Sequence, residues 1–186
     1  LYYAQVRGLG TLKLNSTKEY IEKYTEEFYL VDLYYRRTLE AYHELITKEN
    51  PIEQTLSSAK RQLDLEYAKM TNVLNLEWLT CVGEKGAWFT ETGLKRQEDF
   101  YKNESDTSVK QVVIVCDALR YEVAKELMQE LAKEKHIATI DAYQAMLPTE
   151  TKYCKPALLP HHSLELNGTD MMVDGTLLTT TEQRTA

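Results

Sequence analysis

Six consecutive residues constrain this chain more than any others. Residues 111–116, Gln-Val-Val-Ile-Val-Cys, form a run dominated by β-branched side chains and bounded by charged residues. The run is too short for a buried helix. Its side chains are apolar in both alternating directions, so both faces need cover, which predicts a buried central strand of a parallel sheet. Downstream, Val123, Ala124, Leu127, Leu131 and Ala132 share one face of a helix predicted over residues 121–135. A second apolar stretch, residues 137–143, reads as another strand. Strand, helix and strand in that order predict a right-handed βαβ crossover, with segments 111–116 and 137–143 parallel in one sheet. The second part of the chain is therefore expected to be α/β.

The first part has another texture. Ser16-Thr17-Lys18-Glu19 has the form of a capping box, in which a hydroxyl accepts a backbone amide and a carboxylate reaches back. After it, Tyr20, Tyr24, Phe28, Val31, Tyr35, Tyr42 and Ile46 recur at helical spacing. Asn50-Pro51 predicts the start of a second helix, with Asn as N-cap and Pro at the first helical position. That helix continues through Ile52, Leu56, Leu63, Tyr67, Met70 and Leu74. A third, weaker helical stretch is expected over residues 92–101. The polar segment 103–108 reads as a linker, which divides the chain into an all-α region, residues 1–102, and an α/β region, residues 103–186.

Eight of the 13 tyrosines precede Glu44. Such a cluster could stack nucleic-acid bases, or it could form a helical core whose phenols reach its wet edge. Basic residues are not interleaved with it, which favours the core. The net charge of −7 argues against a polyanion-binding surface for the chain as a whole. No stretch of 18 apolar residues or signal peptide is present, so no membrane role is expected. Three widely spaced cysteines, Cys81, Cys116 and Cys154, fit reduced thiols in a cytoplasmic protein. Cys116 and Cys154 are read as packing residues. Leu1 at the start and the polar run at the end suggest a piece of something larger.

Parallel sheets bind ligands beyond the carboxyl ends of their strands. Asp117 is the first polar residue after the apolar run, and Leu147-Pro148-Thr149-Glu150-Thr151 follows the second strand segment. A carboxylate at a strand end suits a hard cation. A hydroxyl at the start of a helix faces backbone amides that can receive an anion. Together they suit metal-assisted attack on phosphorus. The plain alternatives are a turn or cap role for Asp117 and a cap role for Thr151.

Asp117-Ala118-Leu119-Arg120-Tyr121-Glu122 resembles the Asp-Ala-Leu-Arg-Tyr-Glu signature of the PglZ family. Leu147-Pro148-Thr149-Glu150-Thr151, Ala157-Leu158-Leu159-Pro160-His161 and Val173-Asp174-Gly175 are similar to later segments of that family. Arg96-Gln97-Glu98-Asp99-Phe100-Tyr101 resembles the segment that precedes the first strand in PglZ of BREX phage-defence systems. The resemblance is strong from about residue 97 to residue 184 and weaker before that. It implies an alkaline-phosphatase-like domain: a metal-dependent phosphatase or phosphodiesterase with two divalent metals, usually zinc. The substrate it implies is a phosphate ester or diester, with nucleotides and nucleic acid among the options, and the implied partners are other BREX defence proteins. Asp117 matches a metal ligand, and Thr151 matches the nucleophile, itself coordinated to metal. Thr149 is the competing choice of threonine. Arg120 could clamp a phosphate oxygen or form a salt bridge to Glu122. His161-His162 is a tempting pair, but only His161 matches a family position.

The chain also departs from the pattern. Where the family commonly has Gly-Met-Ala-Ala, it carries Tyr153, Cys154, Lys155 and Pro156. The further Asp and His ligands of a two-zinc site are expected beyond these residues, so the 186-residue piece is expected to be inactive by itself. The alternative is a non-catalytic PglZ-type scaffold in a defence complex, and a helical interaction module is a third reading. The Asp117 carboxylate and Thr151 hydroxyl are expected roughly 4–6 Å apart, as ligands sharing one metal would be.

Overall fold

A computed structural model describes residues 13–46, 52–83, 92–106, 108–178 and 180–185. Its elements in chain order are α1 (Thr17–Lys23), α2 (Tyr29–Ile46), α3 (Glu53–Val82), β1 (Lys95–Arg96), α4 (Phe100–Glu104), α5 (Tyr121–Lys133), β2 (Tyr143–Gln144), α6 (Thr151–Ala157), β3 (Leu164–Asn167), β4 (Asp170–Val173), β5 (Thr176–Leu177) and α7 (Thr181–Thr185). The chain divides into two compact units. One comprises residues 1–92 with 120–139, and the other residues 93–119 with 140–186.

The helical unit begins with the predicted cap. Ser16 Oγ accepts the Glu19 amide at 3.1 Å. The reciprocal half differs, because Glu19 takes the Asn15 amide and side chain at 2.9 and 3.0 Å. Between α1 and α2 the helix widens into one π-turn, Tyr24–Phe28. Thr25 Oγ1 donates to the Ile21 and Glu22 carbonyls there, in competition with the backbone ladder. The cap predicted at Asn50-Pro51 lies outside the described residues, and α3 begins after Ile52 with no side-chain cap. Its buried residues, Leu63, Met70 and Leu74, fall at helical spacing on one face. They meet Leu14, Phe28 and Val31 in a core flanked by Tyr20, Tyr24 and Tyr67.

Helix α5 belongs to this unit, where it lies against α2. It joins through an acidic face rather than its apolar stripe. Glu122 is fully buried, with its carboxylate 3.0 Å from Arg120 Nε and 3.9 Å from Arg36 Nε. Neither contact has hydrogen-bond geometry. Glu126 pairs with Arg36 and, at 2.5 Å, with Arg37. Leu127, expected in the apolar seam, is exposed. Lys135 stops the turn after α5 in the left-handed conformation, φ 63°.

The phenols of this unit serve its acidic groups. Tyr24 and Tyr67 donate to Asp32 at 2.6 and 2.7 Å, and Tyr35 donates to Asp64 at 2.9 Å. Tyr35 stacks flat on Tyr67, centroids 3.8 Å apart. These contacts match a helical core with phenols at its polar edge.

The α/β unit corrects the predicted sheet. Segments 111–116 and 137–143 do not pair as neighbouring parallel strands. The observed parallel pair is β1 with β2, Lys95 opposite Tyr143 and Arg96 opposite Gln144. Residues 111–116 form no ladder among the described residues, and Val112 and Ile114 are 79% and 80% exposed. Ile137 is 99% exposed. A run apolar on both faces becomes a central strand only where neighbours and covering layers meet it; among the described residues no strand pairs with this one, and only Val113 and Val115 face other apolar groups, across a cavity shared with Phe100 and Leu158. The third helix predicted over residues 92–101 is also shifted: β1 comes first, then a 3₁₀ turn, Gln97–Asp99, and then α4.

Beyond α6 the chain forms an antiparallel meander, β3-β4-β5. Val173-Asp174-Gly175-Thr176 is a two-residue hairpin turn with both central residues at positive φ, 49° and 76°. That conformation explains the Asp-Gly pair. Asp174 Oδ1 also receives the His162 and Ser163 amides at 2.8 and 2.7 Å. Tyr153, Met171 and Val173 form the small core beneath.

Candidate functional site

Asp117 ends the apolar run in a tight turn whose second residue, Ala118, takes φ 55°. A residue with a Cβ is seldom held in that left-handed region without support from its surroundings. Thr151 opens α6, whose sixth residue is Pro156. Proline lacks the amide for an internal helix bond, so the helix closes after seven residues. Pro156 and Ala157 are buried, and the Tyr153 hydroxyl donates to the Thr169 carbonyl at 3.1 Å. These contacts tie α6 to the hairpin and fix its first turn.

Gln97 holds the other side of the loop. Its Oε1 accepts the Met146 amide at 2.9 Å, and its Nε2 donates to the Cys154 carbonyl at 3.2 Å. One amide thus spans the loop from the end of β2 to the middle of α6. The sequence marked Gln97 only as part of a motif, because a backbone clamp leaves no spacing signal of its own.

Asp117 and Thr151 come together. Thr151 Oγ1 lies 3.5 Å from Asp117 Oδ2 as a long hydrogen bond, closer than the expected separation. Of the two threonines, Thr151 rather than Thr149 makes this bond. The same carboxylate oxygen carries a second partner, Lys155 Nζ, at 3.1 Å. Lys155 stands one helical turn after Thr151, so both side chains project from the same side of α6. That i, i+4 spacing is the sequence signal that could have found it. The Lys155 ammonium, by hydrogen bond and charge, holds the Asp117 carboxyl below the usual carboxylate range, with smaller help from the Ala118 amide and Thr151.

The other candidates lie elsewhere. Arg120 falls in the helical unit, 3.4 Å from Asp32 and 3.0 Å from Glu122. His161 Nδ1 lies 2.7 Å from the Leu159 carbonyl oxygen. Cys116 is exposed rather than packed, whereas Cys154 is half-buried, and burial pushes its thiol up. Among the described residues, no three His, Cys, Asp or Glu side chains gather as a metal site. A carboxylate and a hydroxyl are donors of the kind a divalent cation takes, but two such donors supply only part of a coordination shell.

Residues 98–186 match the sequence model of the BREX system PglZ alkaline phosphatase-like domain. This stretch is PglZ-like. The chain is 28% identical over 191 residues to the alkaline phosphatase-like protein PglZ of Bacillus cereus (strain H3081.97), covering 98% of this chain and 22% of that protein. It is 37% identical over 93 residues to the alkaline phosphatase-like protein BrxZ of Escherichia coli O9:H4 (strain HS), covering 45% of this chain and 11% of that protein. The chain therefore spans less than a quarter of the length of the curated relatives it matches. No solved structure matches it. Asp117, Thr151 and Lys155 all lie within the PglZ-like stretch, and no helix among the described residues is long and apolar enough to cross a membrane.

Proposed function

We propose that this PglZ-like stretch supplies the nucleophile and one metal ligand of a phosphoric ester hydrolase that acts in BREX phage defence. The observation that carries the reading is the Thr151 hydroxyl on the Asp117 carboxylate, at the end of the apolar run. The PglZ and BrxZ relatives support the phosphatase class and the defence context.

Thr151 Oγ attacks the phosphorus of an ester or diester. A P–O bond forms to Thr151, the bond to the alcohol breaks, and the leaving oxygen takes up a proton. Water then displaces the phosphoryl group from Thr151 and restores the hydroxyl. Asp117 orients Thr151 by accepting its proton in a hydrogen bond, and the Gln97 clamp holds the loop that carries both threonines. A divalent cation, zinc by family resemblance, would take Asp117 and Thr151 among its donors and supply positive charge that eases deprotonation of the hydroxyl and attack on phosphate. Nucleotides or nucleic acid are candidate substrates, other BREX proteins candidate partners, and the cytoplasm the proposed location.

The test uses the whole protein and a chromogenic phosphodiester. Thr151→Ala should lower turnover by about a thousandfold or more, roughly 4 kcal/mol of transition-state stabilisation, with the melting temperature nearly unchanged because the hydroxyl is exposed. Asp117→Ala should lower both metal binding and turnover. Undiminished hydrolysis by Thr151→Ala would remove the nucleophile. One observation favours a second reading: the Lys155 ammonium already neutralises Asp117, as it could in a non-catalytic scaffold. Inactivity of the whole protein with every divalent metal would support that reading.

A further inference from the structure

We propose that Gln97 is a positioning residue for Thr151, holding the first turn of α6 and with it the two side chains that meet Asp117. The proposal rests on the reading of Thr151 as the nucleophile. Its basis is one carboxamide used at both ends. Gln97 Oε1 accepts the Met146 amide at 2.9 Å, and Nε2 donates to the Cys154 carbonyl at 3.2 Å. Cys154 stands between Thr151 and Lys155 on α6. Those two neighbours reach the same oxygen of Asp117, at 3.5 and 3.1 Å. The grip on Cys154 is therefore a grip on the turn that sets both distances.

The chain is built to receive this side chain. Parallel pairing of Arg96 with Gln144 brings the residue after β1 alongside the loop after β2. Glu150, the residue before α6, makes no side-chain cap bond, so no capping side chain fixes the start of the helix. At its far end the Leu158 amide turns to the Lys155 carbonyl at 3.1 Å. The Cys154 carbonyl, which an unbroken α-helix would pair with that amide, is left to the Gln97 donor. Met146 is held at its carbonyl as well, by Cys154 Sγ at 3.6 Å. A carboxamide carries both the acceptor that the Met146 amide needs and the donor that the Cys154 carbonyl needs, whereas a carboxylate has no donor. Both ends of Gln97 are engaged by backbone, so it acts on the reaction through Thr151 and not by touching the substrate.

The experiment uses the whole protein with two substitutions. Gln97→Met loses both bonds, and Gln97→Glu keeps the acceptor for Met146 but loses the donor for Cys154. Hydrolysis of a chromogenic phosphodiester is measured at a temperature where melting curves show each variant fully folded. Gln97→Glu, nearly the same shape as the parent, keeps the comparison available should Gln97→Met fail to fold. Both should lower kcat about ten- to a hundredfold, the cost of displacing a reacting group by up to about 1 Å. KM should change by less than about twofold, because no contact with the substrate is removed. Hydrogen exchange at the Met146 amide should quicken in Gln97→Met and stay slow in Gln97→Glu, while trypsin should cut after Lys152 faster in both. Thr151→Ala in the same assay keeps the two readings apart. Full kcat in the folded Gln97 variants beside an inactive Thr151→Ala overturns the positioning role and leaves the nucleophile. A raised KM at constant kcat would put Gln97 on the substrate and overturns it too. Unchanged exchange at Met146 and unchanged cleavage after Lys152 would show that the clamp does not form. Undiminished hydrolysis by Thr151→Ala overturns the nucleophile reading, and the proposal with it, whatever the exchange shows.

Discussion

In the helical unit, Phe28, Val31, Met70 and Leu74 are buried against one another, and even the carboxylate of Glu122 is fully enclosed beside two arginines. In the α/β unit, the most apolar run of the chain stands in solvent, while the buried residues are the few of a small hairpin core. The difference lies in where each pattern finds its partners. A helical stripe is satisfied by the next helix along the chain. A central parallel strand needs neighbours on both edges and layers on both faces, and these come from distant parts of a sequence. Apolar character alone therefore says what a segment requires, and the surrounding chain decides whether the requirement is met.

The comparison breaks most readily at Phe28. Phe28→Ala should destabilise the helical unit by about 3–5 kcal/mol, the usual cost of removing a fully enclosed aromatic ring, since Phe28 is 3% exposed. Urea unfolding followed by far-ultraviolet circular dichroism measures it. A cost below about 1 kcal/mol would mean that this core is not closed, and that the contrast between the units is false.

The two units also differ in how much could be read beforehand. The Ser16 cap, the stripe on α3 and the core role of the tyrosines were legible because each depends on residues within a few turns of one another. The proximity of Asp117 and Thr151 was legible through the family resemblance, which gives both residues to one metal; they lie 34 residues apart, and neither local pattern by itself brings them together. Pairing of segments 111–116 and 137–143 was not legible, because parallel register depends on long-range contacts that neither segment encodes. The partnership of α5 was misread as well. Its apolar stripe is the stronger periodic signal, but Glu122 and Glu126 face arginines on α2, and those pairs decide which side of the helix is covered. Lys155 was visible as a departure from a family pattern, and only the fold shows which carboxylate it meets.

Alkaline titration sharpens the contrast by a smaller amount. Burial, followed by the charge of Asp32 and its hydrogen bond to Tyr67, pushes the phenols of Tyr20 and Tyr67 up to about 12 and that of Tyr24 higher still. A phenol whose folded pKa is raised contributes stability that is fully present below its ordinary value near 10 and is lost as pH rises through the folded value. The helical unit should therefore lose stability between about pH 10 and pH 12. Phenolate absorbance should show a late-titrating class of tyrosines whose ionisation coincides with loss of helical dichroism. Uniform titration near pH 10 with the helices intact would contradict the burial of these rings.

The smallest expected effect concerns the run that most constrained the sequence reading. Ile114 is 80% exposed and lies in no described ladder. Ile114→Asn in the 186-residue chain removes apolar surface that water already reaches, so it should change stability by less than about 0.5 kcal/mol. The same substitution in a buried central strand would cost several times more, because it would place an amide without partners between two apolar layers. Urea unfolding of the Ile114→Asn chain, monitored alongside Phe28→Ala, separates the two cases. A loss of 2 kcal/mol or more, roughly the cost of an unsatisfied buried polar group, would show residues 111–116 to be covered in solution, and the parallel-sheet expectation would return. A negligible loss would mean that the run is free to accept a partner strand, with Asp117 standing at the end of it.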